Sequence, residues 1–431
     1  MKKITNRAFS LVLIAALVIF GMGVYIVRYV QHGEDWALYF AGSNSDSSGE
    51  LLDRNGVVLA SFSPDEKLFA QDELTRRANY HVTGDYWGRT GSGILRNFQS
   101  GAYDFSLLSG TTKSSSSTMI LNIDSQLNNI AYEAMGNRKG AVLLSNYKTG
   151  EILALMSTPA LDPANENEEP ADGAYINRCL SATFVPGSVF KLITTAAAIE
   201  NIPDIFDRTF YCEGVYKIAG VEITCSGTHY SQSFEQALAN SCNVAYAQIA
   251  VMLGQDTLER YVREYGFLDN HKLNGITTAK GSFPTEFIGD PELAWAGIGQ
   301  STDLISPYSL LRFVSAIGNG GLLYEPSLVK DDSRPKTTRL IDADTADKLK
   351  QMMSYNVAAH YDGETNFPGL NICAKTGTAE LGDGSSHAWF TGFLDDEEHP
   401  YAFVVLIEQG GSGLRSAGVL ANTLLQAAVN R

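Results

Sequence analysis

Basic residues are scarce in this sequence, and several common enzyme motifs are missing. Lys and Arg number 32 against 48 Asp and Glu, which gives a formal net charge of −16. Because no Lys/Arg cluster occurs outside the N-terminus, the sequence excludes a nucleic-acid-binding surface, which needs a basic footprint. It also lacks H-E-x-x-H, G-x-S-x-G and a P-loop, and its 7 histidines have no ligand spacing. No metal and no cofactor are predicted.

Cysteine is equally scarce. The 5 cysteines form no C-x-x-C and no zinc-type spacing. Outside the cytoplasm, Cys212 and Cys225 could form a disulfide, since both flank a short segment that contains glycine. Buried free thiols are the alternative, and the sequence leaves both open.

Charge is absent from one long stretch near the N-terminus. Lys2, Lys3 and Arg7 precede residues 8–27, AFSLVLIAALVIFGMGVYIV. At about 1.5 Å per residue this run spans roughly 30 Å, the hydrocarbon thickness of a bilayer. It is too long for a signal-peptide core and has no convincing cleavage site, so we interpret residues 8–30 as a transmembrane anchor. The flanking basic residues predict that residues 1–7 are a cytoplasmic tail and that the rest lies outside.

A polar linker divides the remaining chain. Residues 111–118, TTKSSSST, have a flexible composition, and we place a domain boundary near them. The sequence thus predicts a small N-terminal module over residues 31–117 and one larger α/β (α+β) domain over residues 118–431. Within the module, Asn55-Gly56 between two apolar runs predicts a β-hairpin over residues 51–62.

Lys-Thr-Gly occurs twice, and the two copies have different contexts. Lys148-Thr149-Gly150 joins two apolar runs, which predicts the turn of a hairpin. Lys375-Thr376-Gly377 follows an apolar–polar alternation, which predicts a strand. Two more strand-like runs, HAWFTGFL and YAFVVLIEQ, come after it. The sequence therefore predicts an antiparallel sheet with a candidate site on the first of these three strands.

That second copy could bind the end of a peptide. Gly377 removes a side chain where another backbone could approach closely. A substrate peptide could then pair with the edge of the strand. Lys375, Thr376 and Thr378 would offer one charge and two hydroxyls to a terminal carboxylate.

Ser188 is the strongest candidate for a nucleophile. Pro186-Gly187 predicts a turn and the Ala-rich run after it predicts a helix, so Ser188 would share a face with Lys191 at i+3. A serine hydroxyl needs a base, and Lys191 could be that base if its pKa is lowered by burial. Backbone N–H groups at the helix N-terminus would stabilise an oxyanion. A capping serine followed by an exposed lysine is the structural alternative.

S-x-x-K alone is a weak pattern in this chain. Ser145 to Lys148 and Ser333 to Lys336 also match it. The first pair lies in the predicted hairpin, and the second contains Pro335 in a polar loop. Only Ser188 has the helical context that the chemistry needs.

A second polar triplet interrupts a predicted helix. Residues 234–253 have a helical pattern with Ser241-Cys242-Asn243 in the middle. Ser241 could relay a proton from Lys191 to a leaving group, and Asn243 could bind a substrate amide. Because Ser and Asn are unfavourable inside helices, a break is expected there. We interpret Cys242 as a packed small side chain.

The three motifs in this order resemble the penicillin-binding protein transpeptidases, which are related to serine β-lactamases. Stretches such as GAVLLSNYKTGEILALMSTPALDP and HAWFTGF extend the resemblance from about residue 119 to the C-terminus. DRNGVVLA looks like the shortened N-terminal module of class B, monofunctional members. The resemblance implies an antiparallel sheet flanked by helices, behind a membrane anchor.

The resemblance also implies a reaction. Ser188 would attack the penultimate D-Ala carbonyl of a peptidoglycan stem peptide, with Lys191 as the base and the N–H groups of Ser188 and Thr378 as the oxyanion hole. An amine of a neighbouring strand would resolve the acyl-enzyme, and β-lactams would acylate Ser188 and leave slowly. The other motif residues would move protons or position the substrate, namely Ser241, Asn243, Lys375, Thr376 and Gly377.

Two alternatives to a transpeptidase remain on the same motifs. One is hydrolysis, by a D,D-carboxypeptidase or a class D-like β-lactamase, whereas the E-x-x-x-N pattern of class A enzymes is absent between Asn243 and Lys375. The other is a non-enzymatic penicillin sensor or scaffold, although no motif residue is missing. Too few residues separate the anchor from the catalytic domain for a glycosyltransferase, and no C-terminal accessory domain is expected. Glycan polymerisation would need a separate partner protein.

Overall fold

The computed structural model describes residues 2–31, 48–63, 65–101, 103–106, 110–113, 117–284, 289–331 and 335–431. Its first element is a helix, α1 (Lys2–Gln31), that includes the predicted anchor. The stretch Arg7–Tyr29 is long and apolar enough to cross a membrane. Its residues are not buried by any other part of the chain that the structure describes. Large apolar side chains such as Phe20 are exposed along it, and lipid would remove them from water.

Short strands and helices form the N-terminal region. One sheet has the order β3-β2-β1-β6, and within it β1 and β2 are an antiparallel pair, which confirms the predicted hairpin. A second pair, β4 with β5, and three short helices are the other elements that the described residues of this region form. The bounds are β1 (Gly49–Leu52), β2 (Val58–Phe62), β3 (Lys67–Phe69), α2 (Glu73–Ala78), α3 (Tyr80–Thr83), α4 (Ile94–Gly101), β4 (Tyr103–Ser106), β5 (Gly110–Lys113) and β6 (Ser117–Ile120).

Strand β6 connects this region to the rest of the chain. It pairs in parallel with β1, from Gly49 opposite Ser117 to Leu52 opposite Ile120. At its end, the Lys330 N–H donates to the Ile120 carbonyl at 2.9 Å. The predicted boundary between residues 117 and 118 therefore falls within a hydrogen-bonded strand, and the division into two domains stays a prediction.

A five-stranded antiparallel sheet is the centre of the larger region. Its order is β17-β18-β19-β7-β8, so β17 is an edge strand. The hairpin with its turn at Lys148-Thr149-Gly150 and the three consecutive C-terminal strands are both confirmed. The bounds are β7 (Gly140–Asn146), β8 (Ile152–Thr158), β17 (Ile372–Glu380), β18 (Ser386–Leu394) and β19 (Tyr401–Ile407).

Helices cover both faces of this sheet. In β19, Val404 and Leu406 pack into one buried cluster, whereas Phe403 and Val405 pack into the other. Side chains alternate along a strand, so a sheet covered on both faces needs apolar residues throughout. The helices that contribute to these clusters are α5 (Ser125–Met135) and α14 (Val419–Val429) on one face, and α11 (Pro307–Gly318) and α12 (Ala343–Asn356) on the other.

The segment between β8 and α11 contains five α-helices among its described residues and holds two of the three motifs. Its helices are α6 (Lys191–Asn201), α7 (Phe234–Ala239), α8 (Asn243–Leu253), α9 (Gln255–Glu264) and α10 (Asp290–Ile298). Small strand pairs lie between and after them: β9 (Thr209–Cys212) with β12 (Tyr230–Ser233), β10 (Val215–Ile218) with β11 (Val221–Thr224), β13 (Lys272–Leu273) with β14 (Ile276–Thr277), and β15 (Leu322–Tyr324) with β16 (Thr337–Arg339). Before β17 come a π-helical turn (Val357–Tyr361) and α13 (Gly363–Asn366).

Candidate active site

Ser188 lies in a 3₁₀ turn, Gly187–Phe190, that leads directly into α6. Side chains three residues apart eclipse in such a turn, and the Lys191 Nζ accordingly lies 3.2 Å from the Ser188 Oγ. Ser188 is half-buried, whereas Lys191 is 0 % exposed. The predicted pair is therefore present, with a 3₁₀ turn in place of the first α-helical turn.

Glycine brings this turn into direct contact with β17. Gly187 has a φ of +56°, and a Cβ on it would lie 2.8 Å from the Thr378 carbonyl oxygen. A Cβ on Gly377 would lie 3.1 Å from the Pro186 carbonyl oxygen. The sequence predicted a close backbone approach at Gly377, and the backbone that approaches here is the turn that carries the nucleophile.

The second motif lies at a break between two helices. Helix α7 ends at Ala239 and α8 begins at Asn243, with Ser241 at a φ of +51° and Cys242 as the N-cap of α8. The expected break is thus present. It aims two side chains at the buried amine of Lys191: the Ser241 Oγ lies 3.2 Å from the Lys191 Nζ, and the Asn243 Oδ1 lies 2.7 Å from it.

The third motif supplies a second buried lysine from β17. Lys375 is 0 % exposed, and its Nζ lies 3.0 Å from the Ser241 Oγ and 3.0 Å from the Thr376 carbonyl oxygen. Thr376 is half-buried and Thr378 is exposed beside the nucleophile turn. Ser241 is therefore in contact with both lysines.

Burial governs the charge of these two amines. Within the part of the chain that the structure describes, their hydrogen-bond acceptors are neutral hydroxyl, carbonyl and amide oxygens. Loss of solvent lowers the pKa of Lys191 from 10.5 to about 8, against an opposing effect of Cys225 and Cys242. Burial, together with the Lys191 ammonium, holds the pKa of Lys375 well below 10.5. A pKa of about 8 leaves part of Lys191 as the neutral amine near neutral pH, which is the form that a general base requires.

The structure also brings in residues that the sequence analysis did not identify. The Tyr361 hydroxyl accepts the Thr376 N–H at 3.1 Å and lies 3.1 Å from the Thr376 Oγ1. The Gln300 Nε2 donates to the Thr378 carbonyl at 3.3 Å. Both residues are distant from the third motif in the sequence, and no local pattern indicates either contact.

A cleft lies beside Thr378 and is open to solvent. It has a volume of about 480 Å³, and its walls include Trp295, Gln300 and Glu380. Since Gln300 contacts Thr378 and Glu380 lies on β17, the cleft adjoins the third motif.

The S-x-x-K pair in the first hairpin has a different environment. The Ser145 Oγ is buried against the Ser315 Oγ at 3.3 Å, and the Lys148 Nζ forms an ion pair with Glu397. The two side chains therefore do not meet, as the hairpin context predicted. Ser333 lies outside the described residues.

All five cysteines are free thiols in the structure. The Cys212–Cys225 disulfide that the sequence left open is therefore not formed. Cys242 is buried, as predicted, and its backbone begins α8 directly beside Ser241 and Asn243.

The larger region is similar in sequence to known proteins. A family model for the penicillin binding protein transpeptidase domain matches residues 140–426. Stage V sporulation protein D of Bacillus subtilis is 29% identical over 334 residues, which cover 70% of this chain and 51% of that protein. Peptidoglycan D,D-transpeptidase PbpA of Mycobacterium tuberculosis is 30% identical over 322 residues, 66% of this chain and 64% of that protein. The chain thus spans about half to two thirds of the length of these relatives.

Solved structures show the same fold. The D,D-transpeptidase domain of a peptidoglycan glycosyltransferase from Eggerthella lenta has a TM-score of 0.76 at 23% identity, over 90% of this chain and 99% of that one. Penicillin-binding protein A of M. tuberculosis, solved as a ceftriaxone acyl-enzyme complex, has a TM-score of 0.74 at 23% identity, over 89% and 99%. The resemblance inferred from the motifs is confirmed, because the family model covers more than half of the chain. The chain belongs to the penicillin-binding protein transpeptidase family.

Proposed function

We propose that this protein is a membrane-anchored peptidoglycan D,D-transpeptidase, which cross-links stem peptides through an acyl-enzyme on Ser188 and is acylated there by penicillin. The observation that carries the proposal is the contact of Lys191 with Ser188 at 3.2 Å, in a site where burial favours the neutral amine. Family membership supports the same reaction class.

Acylation begins with a proton transfer to Lys191. The neutral amine accepts the Ser188 proton as Oγ forms a bond to the penultimate D-Ala carbonyl carbon. The N–H groups of Ser188 and Thr378 would hold the oxyanion. When the C–N bond breaks, the terminal D-Ala amine leaves with a proton supplied from Lys191 through the Ser241 hydroxyl.

The remaining motif residues position the peptide and help to move protons. Asn243 would bind a substrate amide, and Thr376 and Thr378 would hold the terminal carboxylate, while Gly377 lets β17 lie against the nucleophile turn. Lys375 would keep the Ser241 hydroxyl oriented through its contact at 3.0 Å. Deacylation reverses the first step: an amine of a second stem peptide attacks the ester carbon, and its proton returns to Ser188 by way of Lys191.

The proposed location follows from helix α1, and the proposed partners follow from the reaction. With Lys2, Lys3 and Arg7 on its N-terminal side, α1 would hold the protein in the lipid bilayer as a single-pass anchor, with residues 1–7 in the cytoplasm and the catalytic region outside. Its substrates would be peptidoglycan stem peptides, and β-lactams would be its inhibitors. A separate glycosyltransferase would polymerise the glycan strands.

The test is the mass of the full chain, in detergent, after addition of benzylpenicillin. We expect a penicilloyl adduct that persists for hours on wild type and on Ser145→Ala, whose serine has the same S-x-x-K pattern, and no adduct on Ser188→Ala. Release of D-Ala with formation of a cross-linked product from a stem pentapeptide and an acceptor amine would support transpeptidation. Rapid loss of the adduct with accumulation of penicilloic acid would contradict the proposal in favour of a β-lactamase. Release of D-Ala without cross-links would indicate a carboxypeptidase. Absence of any adduct would contradict the proposal in favour of a non-enzymatic scaffold.

A further inference from the structure

Four side chains that commonly ligate metals converge beside the second motif. The ligand atoms of Cys212, Cys225, His229 and Cys242 all lie within 4.8 Å of one another. They come from separate places: the end of β9, the residue after β11, the residue before β12 and the N-cap of α8. Cys212 and Cys242 are buried, and Cys225 and His229 are half-buried.

Two distances among these ligand atoms match the edges of a tetrahedral metal centre. The Cys225 and Cys242 Sγ atoms are 3.9 Å apart, and the Cys225 Sγ is 3.6 Å from the His229 Nδ1. With Zn–S bonds of about 2.3 Å and Zn–N bonds of about 2.0–2.1 Å, the edges of a tetrahedron are about 3.8 Å for S···S and about 3.5 Å for S···N. A disulfide would require about 2.05 Å between the sulfurs, so this pair is not bonded.

Backbone donors surround the three sulfurs. The Gly214 N–H donates to the Cys212 Sγ at 3.4 Å, and the Ala245 N–H donates to the Cys242 Sγ at 3.4 Å. The Asn243 N–H donates to the Cys225 Sγ at 3.3 Å. N–H donors stabilise thiolates and orient them, as the outer hydrogen bonds of metal sites do. Once deprotonated, three thiolates in one partly buried cluster need a cation to balance them.

We propose that Cys212, Cys225, His229 and Cys242 bind one zinc ion in a closed structural site. Three soft thiolates and an imidazole in tetrahedral spacing are a donor set that suits zinc, and four protein ligands leave no position open for a substrate. No metal was predicted from the sequence because the cysteines form no C-x-x-C, although the four ligands lie within residues 212–242. Only the pairing of β9 with β12, and the position of β11 against α8, bring them together.

The metal would fix the turn that carries the second motif, an inference that rests on the proposed function. Cys242 lies between Ser241 and Asn243, both of which contact Lys191. The segment that holds Cys225 also binds Asn243 twice, through the Cys225 Sγ and through the Thr224 carbonyl, which accepts from the Asn243 Nδ2 at 2.9 Å. Zinc would therefore tie this segment and the start of α8 together, and the four residues act as positioning residues.

The first experiment measures the zinc content of the full chain, purified in detergent without chelators. We expect about one zinc per chain in wild type and in Cys179→Ser, which alters a buried thiol outside the cluster. Cys212→Ser and Cys225→Ser should retain less than a tenth of that zinc. His229→Cys preserves four ligands and should keep the metal, whereas His229→Ala should lose it or hold it far more weakly.

A second measurement uses wild type alone, in case the variants fail to fold. After removal of zinc and addition of Co²⁺, the visible bands of tetrahedral, thiolate-bound cobalt should appear and should vanish when zinc is added. A reduced wild-type chain that holds no zinc and gives no cobalt bands would overturn the proposal. So would a native chain lighter by two hydrogens, with Cys225 and Cys242 in one disulfide-linked peptide and no metal.

Penicillin plays no part in those measurements, so the zinc site and the proposed function can fail separately. The positioning role needs acylation data in addition. Chelation of zinc should slow penicilloyl formation at least tenfold, and added zinc should restore the rate. At the same chelator concentration, penicilloyl formation should stay faster in His229→Cys than in His229→Ala. An acylation rate that is the same with and without zinc would remove the positioning role.

Discussion

Lys191 and Lys375 share one hydrogen-bond partner, since the Nζ of Lys191 lies 3.2 Å and the Nζ of Lys375 lies 3.0 Å from the Ser241 Oγ. Two cations so close together, both shielded from water, disfavour each other's charge. The pair is therefore stable when at least one amine is neutral, and the hydroxyl between them can pass a proton from one side to the other.

Removal of that hydroxyl should slow the chemistry. We expect Ser241→Ala to reduce the rate of penicilloyl formation by about 10²–10⁴-fold, the usual contribution of a positioned proton-transfer group. The rate can be followed by rapid-quench mass spectrometry, with Ser181→Ala, an exposed serine, as the control. A rate equal to wild type would contradict the relay.

Acylation should accelerate as pH rises through the titration of Lys191. Burial lowers the pKa of Lys191 to about 8, and only the neutral amine accepts the Ser188 proton. Below that pKa we expect the second-order rate constant to fall up to about tenfold per pH unit, and above it to level off. Stopped-flow acylation with a chromogenic cephalosporin measures this profile. A flat profile below about pH 8 would exclude Lys191 as the titrating base.

Lys191 should also make the free energy of unfolding depend on pH. Between about pH 8 and the usual lysine pKa of 10.5, the unfolded chain holds a proton that the folded chain has lost. Lys375 acts in the same direction, because burial lowers its pKa as well. The contribution of both lysines to the free energy of unfolding should therefore rise with pH across that window. Comparison of wild type with Lys191→Met by thermal unfolding at several pH values isolates the effect, and the rise should be smaller in the variant.

Gly187 should not tolerate a side chain. Its φ of +56° is costly for alanine, and the new Cβ would lie 2.8 Å from the Thr378 carbonyl oxygen. We expect Gly187→Ala to lose about 1–3 kcal/mol of stability and most of its acylation rate. Gly382→Ala is the matched control, since nothing lies within 4 Å of its Cβ position. Equal melting temperatures for the two variants would contradict the close packing.

Tyr361 should act through Thr376. Tyr361→Phe leaves the Thr376 N–H without the acceptor at 3.1 Å, a loss of about 0.5–1.5 kcal/mol. We expect weaker binding of carboxylate-bearing β-lactams, by roughly 2–12-fold, with a smaller change in the first-order acylation rate. Saturation kinetics separate the two quantities, and Tyr355→Phe, on the exposed side of α12, is the control. A change confined to the first-order rate would contradict this role.

Local signals explain what the sequence could predict. The hairpin at Lys148-Thr149-Gly150, the break at Ser241 and the turn before α6 depend on residues close in sequence, so periodicity and turn chemistry indicate them. The distinction between Ser188 and Ser145 also depended on local context. The third motif was predicted to lie on a strand from its apolar–polar alternation, which is likewise a local signal.

Long-range pairing explains what the sequence could not predict. Tyr361 contacts Thr376 only because the π-helical turn before α13 folds back onto β17. Cys212, at the end of β9, lies near Cys242, at the start of α8, only in the folded chain. Such contacts are set by tertiary packing, which single-sequence patterns do not encode.

The strand β6 has a mechanical consequence. It is hydrogen-bonded along its length to β1, and at its end, through Ile120, to the catalytic region at Lys330. A strand with partners on both sides transmits a pull or a rotation far better than a free tether does. We expect a force applied to β1 to reach the region around Lys330 through these backbone hydrogen bonds.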